Sequence, residues 1–562
     1  MEKCSPNLRK ALNINSSLQA TEAKTHSIIE NFNVFEDFIC QANHYLFTGK
    51  FDSAAAFGQI AAEYGCRNHP GLFVSSCLEN VLMQIGQIAI PNFYISPRKN
   101  ASNKSLKHVL HILTQAHSVG GHTRMAWRWI ERDSKRVHSV VLTRQGNLKI
   151  PSSLVNAVFA SGGQVYHIDR RFGGLVARAK KLGQLASRAD LIVLHIHPYD
   201  VVPIIGLSCK QNIPPVIFVN HADHLFWQGI SVSDVVTHIR DSGFRLSLER
   251  RKIESKRCLI LPIPISRIKR RLSRPEAKRK LGFSEDKVVL LSIASAYKYK
   301  GSNTITFLEA LLPVIKACDK VVLLIVGANE NDLKACPDSA ISHRIHFYGR
   351  REDTILFYQA ADVYLDSFPF ASITSLLEAG IFGTPLVSYR SHPEFAEVLC
   401  ADDPGLKESL FCPRDIKSYR DIIINLIQDA ELRQRLGEQT KEEILEVHEA
   451  QWFESLETLY AHAFSLPPVE NLKRRLDQMH EGKLDLLLAS MQKEWGSVCS
   501  REAMLRAHYR LFPLSLRFKF RNEIKNKHKD FPLNFIFSEW LCTWLRKFIS
   551  RILSLCNTRK GI

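Results

Sequence analysis

The sequence predicts an α/β protein: two doubly wound parallel-sheet domains in series, facing a cleft, with helical regions on either side. Three observations predict it. At 562 residues the chain is long enough for several domains. Over residues 107–263, and again over 287–389, short apolar strands alternate with helical stretches, which is the pattern of a parallel sheet covered on both faces. Between the two runs lies a basic segment at 266–280, with RIKRRLSRPEAKRK in it, that reads as a solvated linker running into a helix.

Residues 1–104 read as helices. The stretch 42–65, ANHYLFTGKFDSAAAFGQIAAEYG, has the spacing A-x3-L-x2-G-x-F-x2-A, similar to one tetratricopeptide-like helix pair. A repeat array needs about three such units to bury its faces, so the pair is expected to cap the next domain. A polar linker at 91–105 follows. The first sheet domain, 105–265, has strands at 107–114, 137–143, 164–168, 190–197, 215–220, 234–239 and 258–263, and a helix at 121–132. The second, 266–466, has strands at 287–294, 321–326, 344–348, 362–366 and 386–389. Its helices are expected from 304, at 374–383, 415–428 and 431–448, and at 451–464, the last returning to the first domain. Residues 467–562 form a basic helical extension.

Composition narrows the class. The apolar and charged fractions, 45% and 23%, are those of a soluble globular protein. The first residues lack an apolar leader and no run of about 18 apolar residues occurs, so neither a signal peptide nor a spanning helix is expected. The 13 cysteines are scattered without a C-x-x-C pair, which fits a reducing, cytoplasmic setting and argues against a zinc site. Net charge is +19, and residues 501–562 carry 14 Lys or Arg against 4 Asp or Glu. That asymmetry suggests an anionic partner. Within 535–555, Trp540, Trp544 and Phe548 lie opposite a stripe containing Glu539, Arg546, Lys547 and Arg551. With the basic run 517–529 before it, this helix either lies in an anionic membrane interface or packs on the core. Its aromatics form a helical stripe rather than a strand platform, so nucleic acid is not the expected partner.

The stretch with most chemistry is DVYLDSFPFASITSLLEAGIFGTPLVSYR, residues 362–390. Thr374 and Ser375 open a helix and place two hydroxyls beside free backbone N–H groups, a site suited to a diphosphate. Glu378, one turn on, faces the same way, where it can accept from ribose hydroxyls. The hydroxyls also serve as ordinary helix caps. Lys298 or Lys300 follows a strand end and can neutralise a diphosphate. Arg350 follows another strand and can stack on a base. In the first domain Gly120 and Gly121 precede a helix and let backbone N–H groups approach a phosphate. His195, His197, His221, Asp223 and His224 gather at strand ends of that sheet. His221 or Asp223 is the candidate general base.

The pattern D-x-x-P, T-S, E-A-x-x-x-G-x-P in 366–385 resembles the nucleotide-sugar site of GT-B glycosyltransferases, above all the O-linked N-acetylglucosamine transferase type. The likeness spans about residues 105–465. It implies two Rossmann-like domains and transfer of a sugar from a nucleotide-diphosphate sugar, with a UDP-sugar favoured. The acceptor would be a hydroxyl of a glycan, lipid-linked glycan or protein. By the same resemblance Lys298, Thr374 and Ser375 hold the diphosphate, the first domain binds the acceptor, and neither metal nor cofactor is needed. One feature departs: retaining members carry Glu-x7-Glu, and Phe370 stands where the first glutamate belongs. The inverting outcome therefore stays open. A nucleotide-sugar epimerase of the same shape and a non-catalytic, membrane-associated binding protein are the alternatives.

Overall fold

The computed structural model describes residues 6–90, 106–170, 172–265, 268–301, 305–333, 339–469, 477–525, 537–539, 541–542 and 545. Thirteen strands in the described residues form two all-parallel sheets. The first holds β1 (His108–Leu113), β2 (Val137–Leu142), β3 (Val165–His167), β4 (Leu191–His195), β5 (Val216–Asn220), β6 (Val235–His238) and β7 (Cys258–Ile260), in spatial order 3-2-1-4-5-6-7. The second holds β8 (Val288–Ile293), β9 (Val321–Val326), β10 (Ile345–Phe347), β11 (Val363–Leu365), β12 (Leu386–Val387) and β13 (Leu410–Phe411), in order 10-9-8-11-12-13. The central strands β8 and β9 read VVLLSI and VVLLIV and are buried at every position. A sheet covered on both faces selects such unbroken apolar runs. β13 has only two residues and no alternation for a sequence reading to find.

Strand order reverses between β1 and β4 in the first sheet and between β8 and β11 in the second. Parallel sheets bind ligands outside the carboxyl ends of strands at such switch points. The two sheets face one another across the cleft, and the turns after β1, β5 and β6 of the first and after β8, β9 and β11 of the second supply residues to its walls.

The N-terminal helices cap the first sheet. Pro6–Phe47 and Phe51–Arg67 form an antiparallel pair through Thr48-Gly49-Lys50, and Ser76–Ala89 follows. Phe35, Phe57, Leu78 and Ile85 share one core with Leu110, Ile112, Ile192 and Leu194 of β1 and β4. The opposite face packs Trp129 of the Gly121–Arg132 helix against Trp452, Leu456 and Tyr460 of the Trp452–Ser465 helix, which crosses back from the second domain. Residues 477–525 also pack on this body: Met504, Leu505 and Phe512 join the core of the N-terminal pair, and Asp485 binds His69 and Arg250 at 2.8 and 2.7 Å.

Most of the expected interfacial helix 535–555, including Trp540, Trp544 and Phe548, lies outside the described residues. Glu539, read as part of its exposed polar stripe, instead accepts from Arg144 and Arg178 of the first domain at 2.9 and 2.8 Å. Arg517, the first residue of the basic run, is buried and donates from Nε to the Phe512 carbonyl at 2.6 Å, so it cannot meet a lipid headgroup. No described helix is long and apolar enough to cross a membrane.

Candidate active site

A cleft of about 540 Å³ lies between the two sheets. The second domain supplies its floor. Asp366, at the end of β11, is buried; its Oδ1 accepts from the N–H groups of Ser367 and Ser372, each at 2.9 Å, and its Oδ2 from Ser388 Oγ at 2.9 Å. Burial pushes this carboxyl up to about 6 against those donors and Lys298. The loop so fixed delivers the Ile373–Ile381 helix with its N-terminus to the cleft. Its N-cap is Ser372, which makes no side-chain cap bond. Thr374 and Ser375 both line the cleft. The first-turn N–H groups of a helix have no carbonyl one turn back, so this end attracts an anion.

Lys298 lies in the turn after β8 and lines the same wall. Its Nζ donates to the Ala371 carbonyl at 2.7 Å and sits 4.8 Å from the Phe370 ring centre. Burial lowers its pKa to about 8, opposed mainly by Asp366. Lys300 is not among the residues that line the cleft. Arg350 lines the outer part and is exposed.

From the first domain come Gly120 and Gly121, in the turn after β1. Gly120 has φ +123°, and a Cβ on Gly121 would lie 2.4 Å from Thr374 Oγ1. Only glycine lets the two domains approach this closely.

Glu378, expected at a ribose, sits elsewhere. It is 3% exposed and is not among the cleft-lining residues. Arg124 donates to it at 2.6 and 2.7 Å, Arg128 at 2.7 Å and Tyr358 Oη at 3.1 Å. Burial raises its pKa, but Arg128 and Arg124 outweigh that and hold it below the usual carboxylate range. The two arginines are four apart on the Gly121–Arg132 helix, so one carboxylate pins the first domain to the Ile373–Ile381 helix.

Asp223 is also committed. Arg240 binds it bidentately, at 2.7 Å from Nε and 3.0 Å from Nη2, and also donates to the Val398 and Cys400 carbonyls of the second domain. Burial opposes ionisation of Asp223, but Arg240 and His224 overcome it and leave the carboxylate far below its ordinary pKa. Such a group is a poor base.

His221 remains available. Its Nδ1 lies 3.0 Å from the Val219 carbonyl, an obligate acceptor, so Nδ1 carries the proton and Nε2 keeps a lone pair. Burial lowers its pKa to about 4. His122, which the sequence offers only as part of the glycine turn, lies beside it with ring centres 4.2 Å apart and planes tilted by 47°, and donates to the His195 carbonyl at 2.8 Å. His195 itself turns away from the cleft. Its Nε2 meets His111 Nδ1 at 3.1 Å, His111 Nε2 meets His138 Nδ1 at 3.0 Å, and His138 Nε2 meets the Asp133 carbonyl at 3.0 Å. His224 packs edge-on against Phe370, 4.6 Å between ring centres, and Trp495 of the C-terminal extension stacks on Phe370 at 5.6 Å and meets His224 edge-on at 6.0 Å.

Residues 273–443 match the family model described as glycosyl transferases group 1. The second domain is a group 1 glycosyltransferase domain. Two curated relatives agree. N-acetyl-alpha-D-glucosaminyl L-malate synthase of Bacillus anthracis is 25% identical over 308 residues, covering 51% of this chain and 78% of that protein. Lipopolysaccharide core biosynthesis glycosyltransferase LpsE of Rhizobium meliloti is 29% identical over 173 residues, 30% of this chain and 48% of that protein. Among solved structures, Anabaena HepE in complex with UDP and glucose aligns with TM-score 0.48 and 15% identity over 63% of this chain and 99% of that one. The Thermobaculum terrenum O-GlcNAc transferase aligns with TM-score 0.44 and 13% identity over 77% and 85%. The chain is thus a glycosyltransferase with two facing parallel-sheet domains, as the resemblance implied, and the epimerase reading is not favoured. The glycosyltransferase match covers the walls that carry Lys298, Arg350, Thr374 and Ser375; His221 and Gly120–Gly121 lie in the preceding domain.

Proposed function

We propose that this glycosyltransferase takes a sugar from a nucleoside diphosphate sugar, a UDP-sugar first among them, to a hydroxyl of a glycan, lipid-linked glycan or protein. The observation that carries the reading is the convergence of Lys298 and the Ile373–Ile381 helix N-terminus on one cleft wall, opposite the Gly120–Gly121 turn. A diphosphate there meets a cation, two hydroxyls and helix amides. Arg350 at the outer part is suited to the base. His221 Nε2 takes the acceptor proton as the hydroxyl oxygen bonds to the anomeric carbon. The anomeric carbon's bond to the diphosphate breaks, and its electron pair leaves on the diphosphate, whose charge Lys298 and the helix end stabilise. Glu378 acts as a positioning residue, holding the donor helix against the first domain. The relative N-acetyl-alpha-D-glucosaminyl L-malate synthase recommends UDP-N-acetylglucosamine as a first donor, with UDP-glucose tested beside it. We place the protein in the cytoplasm, with residues 517–555, Arg517 and Glu539 excepted, as the candidate attachment to an anionic membrane face.

The test is calorimetry with UDP, GDP and their sugars, followed by a hydrolysis assay on any sugar nucleotide that binds. Micromolar UDP binding with slow hydrolysis of one UDP-sugar is the expected result. Failure of every nucleotide to bind would overturn the reading in favour of a non-catalytic module.

A further inference from the structure

Two smaller cavities lie behind the histidines of the cleft and have no role in the donor chemistry above. One, of about 190 Å³, is lined by residues that include Thr114, His197 and Tyr199; the other, of about 200 Å³, by residues that include Arg510 and Glu539. Arg144 and His508 line both. They sit at the carboxyl edge of the first sheet, under the segment that contains His508 and Arg510. His197 is the wall toward the cleft. Its ring stacks on His117, with centres 6.1 Å apart and planes within 5°, and lies 5.8 Å from His122. Both of those line the cleft, so a single imidazole layer separates the two spaces.

The charged groups around these cavities are Arg144 and Arg510, set against the carboxylates of Glu63 and Glu539. Glu539 is the partner of both Arg144 and Arg178, two guanidinium groups to one carboxylate. Arg144 spends only Nε on Glu539 among the described residues, which leaves the fork of its two terminal nitrogens. Arg510 likewise spends Nε on the Tyr509 hydroxyl, at 3.0 Å. His508 is 3% exposed; its Nε2 is 2.8 Å from Glu63, and its Nδ1 is buried without a hydrogen-bond partner. Two arginine forks border a space too small for a nucleotide sugar but sufficient for one carboxylate or phosphate group. Guanidinium forks match both anions in a bidentate manner.

We propose that these cavities form an anion subsite for the non-reacting end of the acceptor, a carboxylate or phosphate group taken by Arg144 and Arg510. That the anion belongs to the acceptor rests on the transferase reading of the cleft; that an anion binds here does not. For the acceptor's hydroxyl end to reach His221, the His197 ring would have to turn aside from the wall it forms here.

The experiment titrates the full-length protein, with and without saturating UDP, with succinate and with sn-glycerol 3-phosphate, and uses glycerol as the neutral control. At least one anion should bind in the presence of UDP, glycerol should not, and Arg144→Gln and Arg510→Ala should each weaken that anion tenfold or more. The preference between succinate and glycerol 3-phosphate identifies the group. Arg510→Ala leaves the Glu539 pairs intact, so it serves if Arg144→Gln loses its near-ultraviolet dichroism. No anion binding, or binding unchanged in Arg510→Ala, overturns the proposal. If UDP fails to bind while the anion still does, the donor reading falls and the anion site stands.

Discussion

Lys298 and His221 carry separable predictions. Lys298→Ala removes a charged contact to the diphosphate, worth about 1.5–3 kcal/mol, so UDP should bind about tenfold more weakly or worse. Calorimetry that shows unchanged affinity would remove Lys298 from the donor site. Its pKa of about 8 adds a pH dependence. The ammonium is needed for binding, so UDP affinity should fall as pH rises through 8 to 9, and Lys298→Arg should flatten that profile. His221→Ala should abolish transfer and leave UDP affinity intact, because a general base acts only in the transition state. Retained turnover would move the role to His122, whose ring lies beside it.

At the scale of elements, the decisive feature is the ion cluster that joins the Gly121–Arg132 helix to the Ile373–Ile381 helix. Glu378→Ala would leave Arg128 buried without its carboxylate. Breaking such a buried pair costs about 3–5 kcal/mol, and urea unfolding should show it; a loss below about 1 kcal/mol would mean that the clamp is ornamental. This cluster also marks where the sequence could be read and where it could not. The alternation of apolar runs gave twelve of the thirteen described strands, because burial on both faces writes itself into consecutive residues. The glycine turn and the Thr374–Ser375 helix start were legible for the same local reason. The fate of Glu378 was not. Its partners Arg124 and Arg128 lie some 250 positions away in the chain, and no spacing rule connects them. Asp223 shows the same limit: beside three histidines in sequence or space it read as a base, whereas its partner Arg240 is a β6-end residue seventeen positions on. Phe370 was seen as a departure from the family pattern, but Trp495 behind it belongs to an extension with no counterpart in that pattern.

For the whole molecule, the buried imidazoles make an acid-sensitive body. His138 donates from Nε2 to the Asp133 carbonyl, so the neutral chain runs His195 to His111 to His138 with one proton per ring. An unfolded histidine takes up its second proton near 6.5, while burial holds His195 and His197 down to about 3 and His221 to about 4. The unfolded state therefore binds more protons below 6.5. The stability these groups contribute is complete above that value and is lost as pH falls. Each contributes a loss of about 2 kcal/mol between pH 7 and 5, so the melting temperature should drop steeply over that interval. A flat profile would mean that the cluster is hydrated or already protonated.

The first domain is assembled from distant parts of the chain: helices before residue 90, the sheet from His108 to Ile260, the Trp452–Ser465 helix, and the segment 477–525. The second sheet is continuous, from Val288 to Phe411. This arrangement sets an order of events during synthesis. When the ribosome has released residues up to about 450, the second domain has all of its described strands, whereas the first still lacks Trp452 and Tyr460 on one face and Met504 and Phe512 on the other. The half made first should therefore fold last. Nascent chains stalled with residues up to about 450 clear of the ribosomal tunnel and treated with protease should yield a resistant fragment from the second domain alone, and chains with residues beyond 525 clear of it should protect both. Protection of the first domain in the shorter chains would show that its core closes without the segments that complete it here.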